Sequence, residues 1–286
     1  MGHLTSTTSN WLPNPLWVAC VLAVSTHLAS AQTNNVVANA EATNMIDTLS
    51  SYSSISGGAN CSIAKDYSAV AGGAHTTVHG AYSFAGAGYN LSVGNLGTMD
   101  YAVVSGGRHN IAFGLSATVC GGEYVSANGP GSLACAGRNN LVNGDSCVNV
   151  GGKYNTAKGK ASFVGGGGSN FVHGQFPVCV GGQANTANGD YSAIGGGQAN
   201  QVDMQYSTIG GGRSNTLVAE YGFIGAGELN FGSAMHVVIG GGERNTALGP
   251  FSTISGGYSN MIQNPGKYGA VGGGISNTAA AYGSTV

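Results

Sequence analysis

Of the 286 residues in the chain, 52 are glycine, nine are basic and eleven acidic, leaving a net charge of −2. Glycine without a Gly-X-Y step, beside only six prolines, excludes collagen, and the absence of a basic stripe excludes a nucleic-acid binder. The hydrophobic fraction of 42% is rich in Ala and Val, which suits a narrow interior better than a broad core.

Taken in chain order, residues 1–31 read as a secretory signal peptide. An apolar run from Leu16 to Val24, too short to span a bilayer, precedes Ala29-Ser30-Ala31, a small-x-small cleavage site before Gln32. No other segment is long and apolar enough to cross a membrane, so the expectation is a secreted or cell-surface chain without a direct membrane span in its mature form. Residues 32–50 are polar and aperiodic and read as a leader with no structural repeat of their own. Residues 51–286 read as the repeat domain.

In that domain a Gly-Gly or Ala-Gly pair ends at 58, 73, 88, 107, 122, 137, 152, 167, 182, 197, 212, 227, 242, 257 and 274. The step is 15 residues except for insertions of four near Asn95–Asp100 and two near Asn264–Lys267. Three places before the second glycine stands Ile or Val in most repeats, as at Ile194, Ile209 and Ile224. Five places after it stands a small apolar residue, as at Val142, Ala157 and Val172. These two columns are expected to face inward. Three places after the pair an Asn column runs through Asn140, Asn155, Asn170, Asn185, Asn200, Asn215, Asn230, Asn245, Asn260 and Asn277, expected to form a structural amide ladder. Six places before it is an aromatic column: Tyr52, Tyr67, Tyr82, Tyr101, Tyr191, Tyr206, Tyr221 and Tyr268, with Phe251 among its other members. Exposed rings in a row are the one feature suited to a ligand, a glycan or an extended polypeptide, and the reading favoured over that is stacking that staples neighbouring repeats.

All 18 charged residues after position 50 fall one or two, or six to eight, places after the glycine pair once the insertions are allowed for. Two turns per repeat are therefore solvated, and the uncharged segments between them are stacked parallel strands. A glycine seven places after the pair, as at Gly114, Gly129 and Gly144, is expected to supply a positive-φ corner. The pattern predicts an all-β parallel β-roll or β-solenoid of about 15 rungs with a 15-residue repeat. Cys120 and Cys135 share one slot on adjacent rungs and form a candidate disulfide.

The motif S-x-I-G-G-G-x-x-N-x-A-x-G-x-Y-S, seen from Ser192 to Tyr206 and from Ser207 to Tyr221, resembles the YadA-like head repeats of trimeric autotransporter adhesins. The resemblance covers about residues 52–286, with a step of 15 where 14 is commoner in that family. It implies a left-handed roll, a homotrimer, and a role in cell adhesion through an extracellular-matrix protein or glycan. A trimer is also expected because each rung turns few side chains inward to offset the ordering of fifteen residues.

No Walker motif, metal-ligand spacing, calcium-binding repeat or catalytic grouping stands out, so neither enzyme activity nor a cofactor is expected. Two further readings are an ice-binding solenoid, for which Thr156, Thr186, Thr216, Thr246 and Thr278 recur in one column, and a purely structural phage or surface fibre subunit.

Overall fold

The computed structural model describes residues 34–38, 43–95 and 100–286, so the signal peptide expected at 1–31 lies outside the described residues. From Asn35 to Val286 the chain winds as a parallel β-solenoid of about sixteen turns, and the described residues contain no helix. Successive strands alternate between two 16-stranded parallel sheets. The first sheet runs from Val36–Val37 and Ser54–Ile55 to Ala270–Val271, and the second from Met45–Ile46 and Ser62–Ile63 to Thr278–Ala279.

The segment expected to be a leader supplies the first turn. Val36 and Val37 pair in register with Ser54 and Ile55, and Met45 and Ile46 with Ser62 and Ile63. This turn lacks a glycine pair but carries Asn-x-apolar twice, at Asn35-Val36-Val37 and Asn44-Met45-Ile46. Asn35 Nδ2 donates to the Ser50 carbonyl at 2.8 Å, and Asn44 Nδ2 to that of Gly58 at 3.0 Å. Those bonds define the turn where glycine does not.

Each rung uses one backbone device twice. A residue in the left-handed region is followed by a buried hydrogen-bonding residue, then by an outward and an inward strand residue. In one rung these are Tyr206 (φ 56°), Ser207, Thr208 and Ile209, and then Ser214 (φ 53°), Asn215, Thr216 and Leu217. Left-handed φ disfavours most side chains, yet here it turns the N–H toward the preceding rung: Tyr67 N donates to Ser51 O at 3.0 Å and His75 N to Ala59 O at 2.9 Å. A bond gained at a corner that would otherwise leave a donor unpaired offsets the strain.

The second glycine of every pair but that ending at Gly88 is required twice over. Gly197 has φ 89°, and a Cβ there would lie 2.1 Å from Gly212 O and 2.7 Å from Asn200 Nδ2. The glycines seven places on do not supply the positive-φ corner expected of them; Gly129 is absent from the left-handed region, and its need is room, since a Cβ would lie 2.1 Å from Gly144 O. The rungs there approach too closely for a side chain.

Ile194, Ile209, Ile224, Ile239 and Ile254 from the first sheet meet Ala187, Val202, Leu217, Ala247 and Ile262 from the second in a fully buried interior. From Val142 through Ala157, Val172 and Ala187 to Val202 large and small residues alternate up the second column, so that there each rung fills space its neighbours leave.

Candidate functional site

The Asn column is a buried, satisfied ladder. Asn215 N donates to Asn200 Oδ1 at 3.0 Å, and Asn215 Nδ2 donates to the carbonyls of Gly211 (3.0 Å) and Gly227 (2.9 Å) and to Asn200 Oδ1 (3.1 Å). Its own Oδ1 accepts from Asn230 N and Nδ2, both at 3.0 Å. The same backbone pattern holds for Asn140, Asn155, Asn170, Asn185 and Asn200, and continues through Asn245 and Asn260 to a half-buried Asn277. Most of these amide bonds go to backbone groups, with amide-to-amide bonds added from Asn215 to Asn260. Each Asn thus ties three consecutive rungs.

A second, partial ladder, not read from the sequence, stands in the matching slot of the other half-rung, where the Oγ atoms of Ser132, Ser192 and Ser252 have no protein partner. Ser68 Oγ donates to Gly80 O at 2.8 Å and accepts from Ser83 N at 3.3 Å, and Ser53 and Ser83 repeat the arrangement. The recurring Ser of the S-x-I-G-G motif was the available signal. Cys147 occupies one such slot, with its Sγ toward Gly159 O.

The aromatic column forms two stacks. Tyr52, Tyr67, Tyr82 and Tyr101 lie face to face at centroid separations of 5.0, 4.8 and 5.2 Å. Phe176, Tyr191, Tyr206, Tyr221, His236, Phe251 and Tyr268 form the other, with separations of 4.7–5.3 Å. Phe176 and His236 extend the set of tyrosines read from the sequence. Interplanar angles as small as 4° mean that ring faces within a stack are occupied by neighbouring rings. Sugar rings bind aromatic faces, so inside the stacks only ring edges and hydroxyls remain for a ligand. The geometry makes the column a staple between rungs.

The outer face of the first sheet is apolar. Leu133, Val148, Phe163 and Val178 occupy its outward positions, and Val150 and Val180, just past the strands, are 45% and 54% exposed. Phe84, Phe223 and Val238 lie on the same face beyond Thr118 on one side and Thr208 on the other. On the second sheet the outward positions alternate, Thr156, Phe171, Thr186, Gln201, Thr216, Phe231, Thr246, Met261 and Thr278, so threonines recur only every other rung. A flat ice-matching array is interrupted at every second step.

Charges keep to the turns. Arg108 pairs with Glu123, Glu123 with Arg138 at 3.5 Å, and Arg213 with Glu228, all on the surface one place after the glycine pair. The Arg108 guanidinium holds the Glu123 carboxyl below its usual range. Cys120 and Cys135 are both free thiols; Cys120 is exposed, and burial first, then its hydrogen bond with Cys120, raises the Cys135 thiol. Burial pushes the Cys179 thiol up to about 11. Among the described residues no three His, Cys, Asp or Glu side chains gather in a way that could hold a metal ion. No family model matches the chain, and no curated protein matches it.

Proposed function

We propose that this chain is the rod of an exported, non-enzymatic surface fibre, adhesin-like in role, wound left-handed and packed as a homotrimer through the outer face of its first sheet. The observation that carries the reading is that face: a regular strip of Leu133, Val148, Val150, Phe163, Val178 and Val180, free of charge, on a rod whose charges all sit in turns. A lone rung turns little apolar surface inward, and burying the strip between chains supplies the missing part. Attachment to an extracellular-matrix protein or glycan then falls to the surfaces left outside the trimer, the second sheet and the charged turns.

Light scattering on the purified chain tests the assembly. A trimer is expected, and Val150→Glu/Val180→Glu should reduce it to single chains. A wild-type mass of one chain overturns the trimer. Binding of the wild-type rod to immobilised matrix proteins and glycans tests attachment, with no retention on any of them as the result that overturns it.

A further inference from the structure

The aromatic column is broken in one place. At Ser116, Gly131, Ser146 and Ala161 the backbone keeps its left-handed φ of 57°, 63°, 56° and 52°, but no ring stands on it. The four positions are spaced by 15 residues without insertion, so they are four consecutive vacant ring slots between Tyr101 and Phe176. A Cβ added at Gly131 would meet only Ser146, at 3.6 and 3.9 Å, which is ordinary contact. Ser116, Gly131 and Ser146 are exposed, as are the flanking Leu115, Pro130, Asp145 and Lys160. The slots open to the outside.

We propose that this gap receives a second copy of the chain, running antiparallel, whose Tyr52, Tyr67, Tyr82 and Tyr101 enter the four slots. The tyrosine stack has four rings spaced at 4.8–5.2 Å, and the slots repeat at the inter-strand distance of about 4.8 Å. Setting Tyr101 at Ser116, Tyr82 at Gly131, Tyr67 at Ser146 and Tyr52 at Ala161 is a two-fold operation. It places the first copy's four rings in the partner's four slots at the same time, so the contact is isologous and closes. Each copy then carries one unbroken column of rings, four its own, four the partner's, and then Phe176 to Tyr268.

A parallel arrangement shifted by four rungs fills the slots equally well but drives the other copy's Phe176, Tyr191 and Tyr206 against His236, Phe251 and Tyr268. The antiparallel one has no such collision, because those rings lie past the other copy's tyrosine stack. The charges at the contact balance: Lys65 and Asp66 both share a rung level with Asp145 of the second copy, with that copy's Lys160 one rung away, and Asp66 Oδ1 already accepts from Ser51 N at 2.7 Å. In the reading above the trimer uses the first-sheet face; this contact uses a corner of the rung and would pair whatever unit that face builds.

The test is sedimentation velocity on the full chain and on the filled variant Ser116→Tyr/Gly131→Tyr/Ser146→Tyr/Ala161→Tyr, whose backbone already suits tyrosine at all four positions. The wild type should have twice the mass of the filled variant. The filled variant should also melt higher, having completed its own stack. An amine cross-linker too short to span six rungs should join Lys65 to Lys160 in the wild type only, since within one chain the two lie about 29 Å apart along the rod. Mixing the filled variant with Tyr52→Ser/Tyr67→Ser/Tyr82→Ser/Tyr101→Ser, which keeps its gap, should restore pairing between the two. Equal masses for the wild type and the filled variant overturn the proposal, whereas failure of the trimer alone would show as a filled variant of one-chain mass beside a wild type of two.

Discussion

Leu217 fills the space that a side chain at Gly232 would need: a Cβ there would lie 2.8 Å from Leu217 Cδ1 and 2.8 Å from Val237 Cγ2. Gly222, just before the first-sheet strand Phe223–Ile224, faces the same leucine, with Leu217 Cδ1 2.8 Å from where its Cβ would be. One large residue is accommodated by two glycines in slots that elsewhere hold a small apolar residue and a serine. Gly232→Ala, a change that often stabilises through the unfolded chain, should here destabilise by about 1–3 kcal/mol through overpacking. Leu217→Val should recover part of that loss in the double variant, with Val237 still in the way. Chemical unfolding of the four proteins of that cycle gives the coupling.

Asn215→Leu removes the partners of Asn230 N–H and of the Gly211 carbonyl, and one of the two donors to the Gly227 carbonyl, which keeps Arg213 N. Each group left unpaired costs about 1–3 kcal/mol, so the melting temperature should drop sharply. Ser214→Leu, one residue earlier at φ 53°, reproduces what Leu229 already does one rung on at φ 55° and should shift it little. Equal shifts would contradict the ladder's role.

Tyr206 is stacked on Tyr191 and Tyr221 and sits at φ 56°. Tyr206→Ala forfeits two ring pairs, about 0.5–1.5 kcal/mol each, while retaining the left-handed backbone. Tyr206→Gly forfeits the same pairs but relieves a strain of about 1–2 kcal/mol. Thermal stability should therefore fall in the order Tyr, Gly, Ala; a ranking with Ala above Gly would mean that the corner is not left-handed.

Thiol reactivity should separate the cysteines. Exposed Cys120 should alkylate first, Cys135 more slowly, and buried Cys61, Cys147 and Cys179 only on unfolding. Under oxidation Cys120 and Cys135 should couple, which mass mapping without reductant would detect. The Cys179 thiol titrates at about 11 in the fold and near 8.5 in the unfolded chain. The fold thus favours the neutral form: its contribution is constant below the unfolded value and is lost as pH rises from there toward 11. Cys179→Ala should show a shallower loss of stability than the wild type across that window.

The rung length, the two inward columns, the Asn ladder and the charged turns were legible in the sequence because each is a repeated choice of one residue type. The first turn was not, since Asn35 and Asn44 do there by hydrogen bonding what glycine pairs mark elsewhere. The serine ladder was hidden because its slot also admits Cys147, Gly222 and Val237. Stacking of the aromatic column was legible from its spacing, but the left-handed φ that sets it from Tyr52 to Tyr101 was not, since these residue types seldom adopt it. The same fact conceals the vacant slots: only the backbone shows Ser116 and Ala161 to be equivalent to Tyr206.

A rod of near-identical rungs faces a folding error that its hydrogen bonds cannot detect. If one rung were looped out, every ladder above it would reconnect in register, Asn to Asn and strand to strand. The alternation of Val142, Ala157, Val172, Ala187 and Val202 does not survive such a slip. Losing Ala157 would set Val142 against Val172, and losing Val172 would leave Ala157 beside Ala187, overpacked in one case and hollow in the other. Across those five rungs side-chain volume, repeating every second rung, thereby proofreads a register that the backbone repeats at every rung.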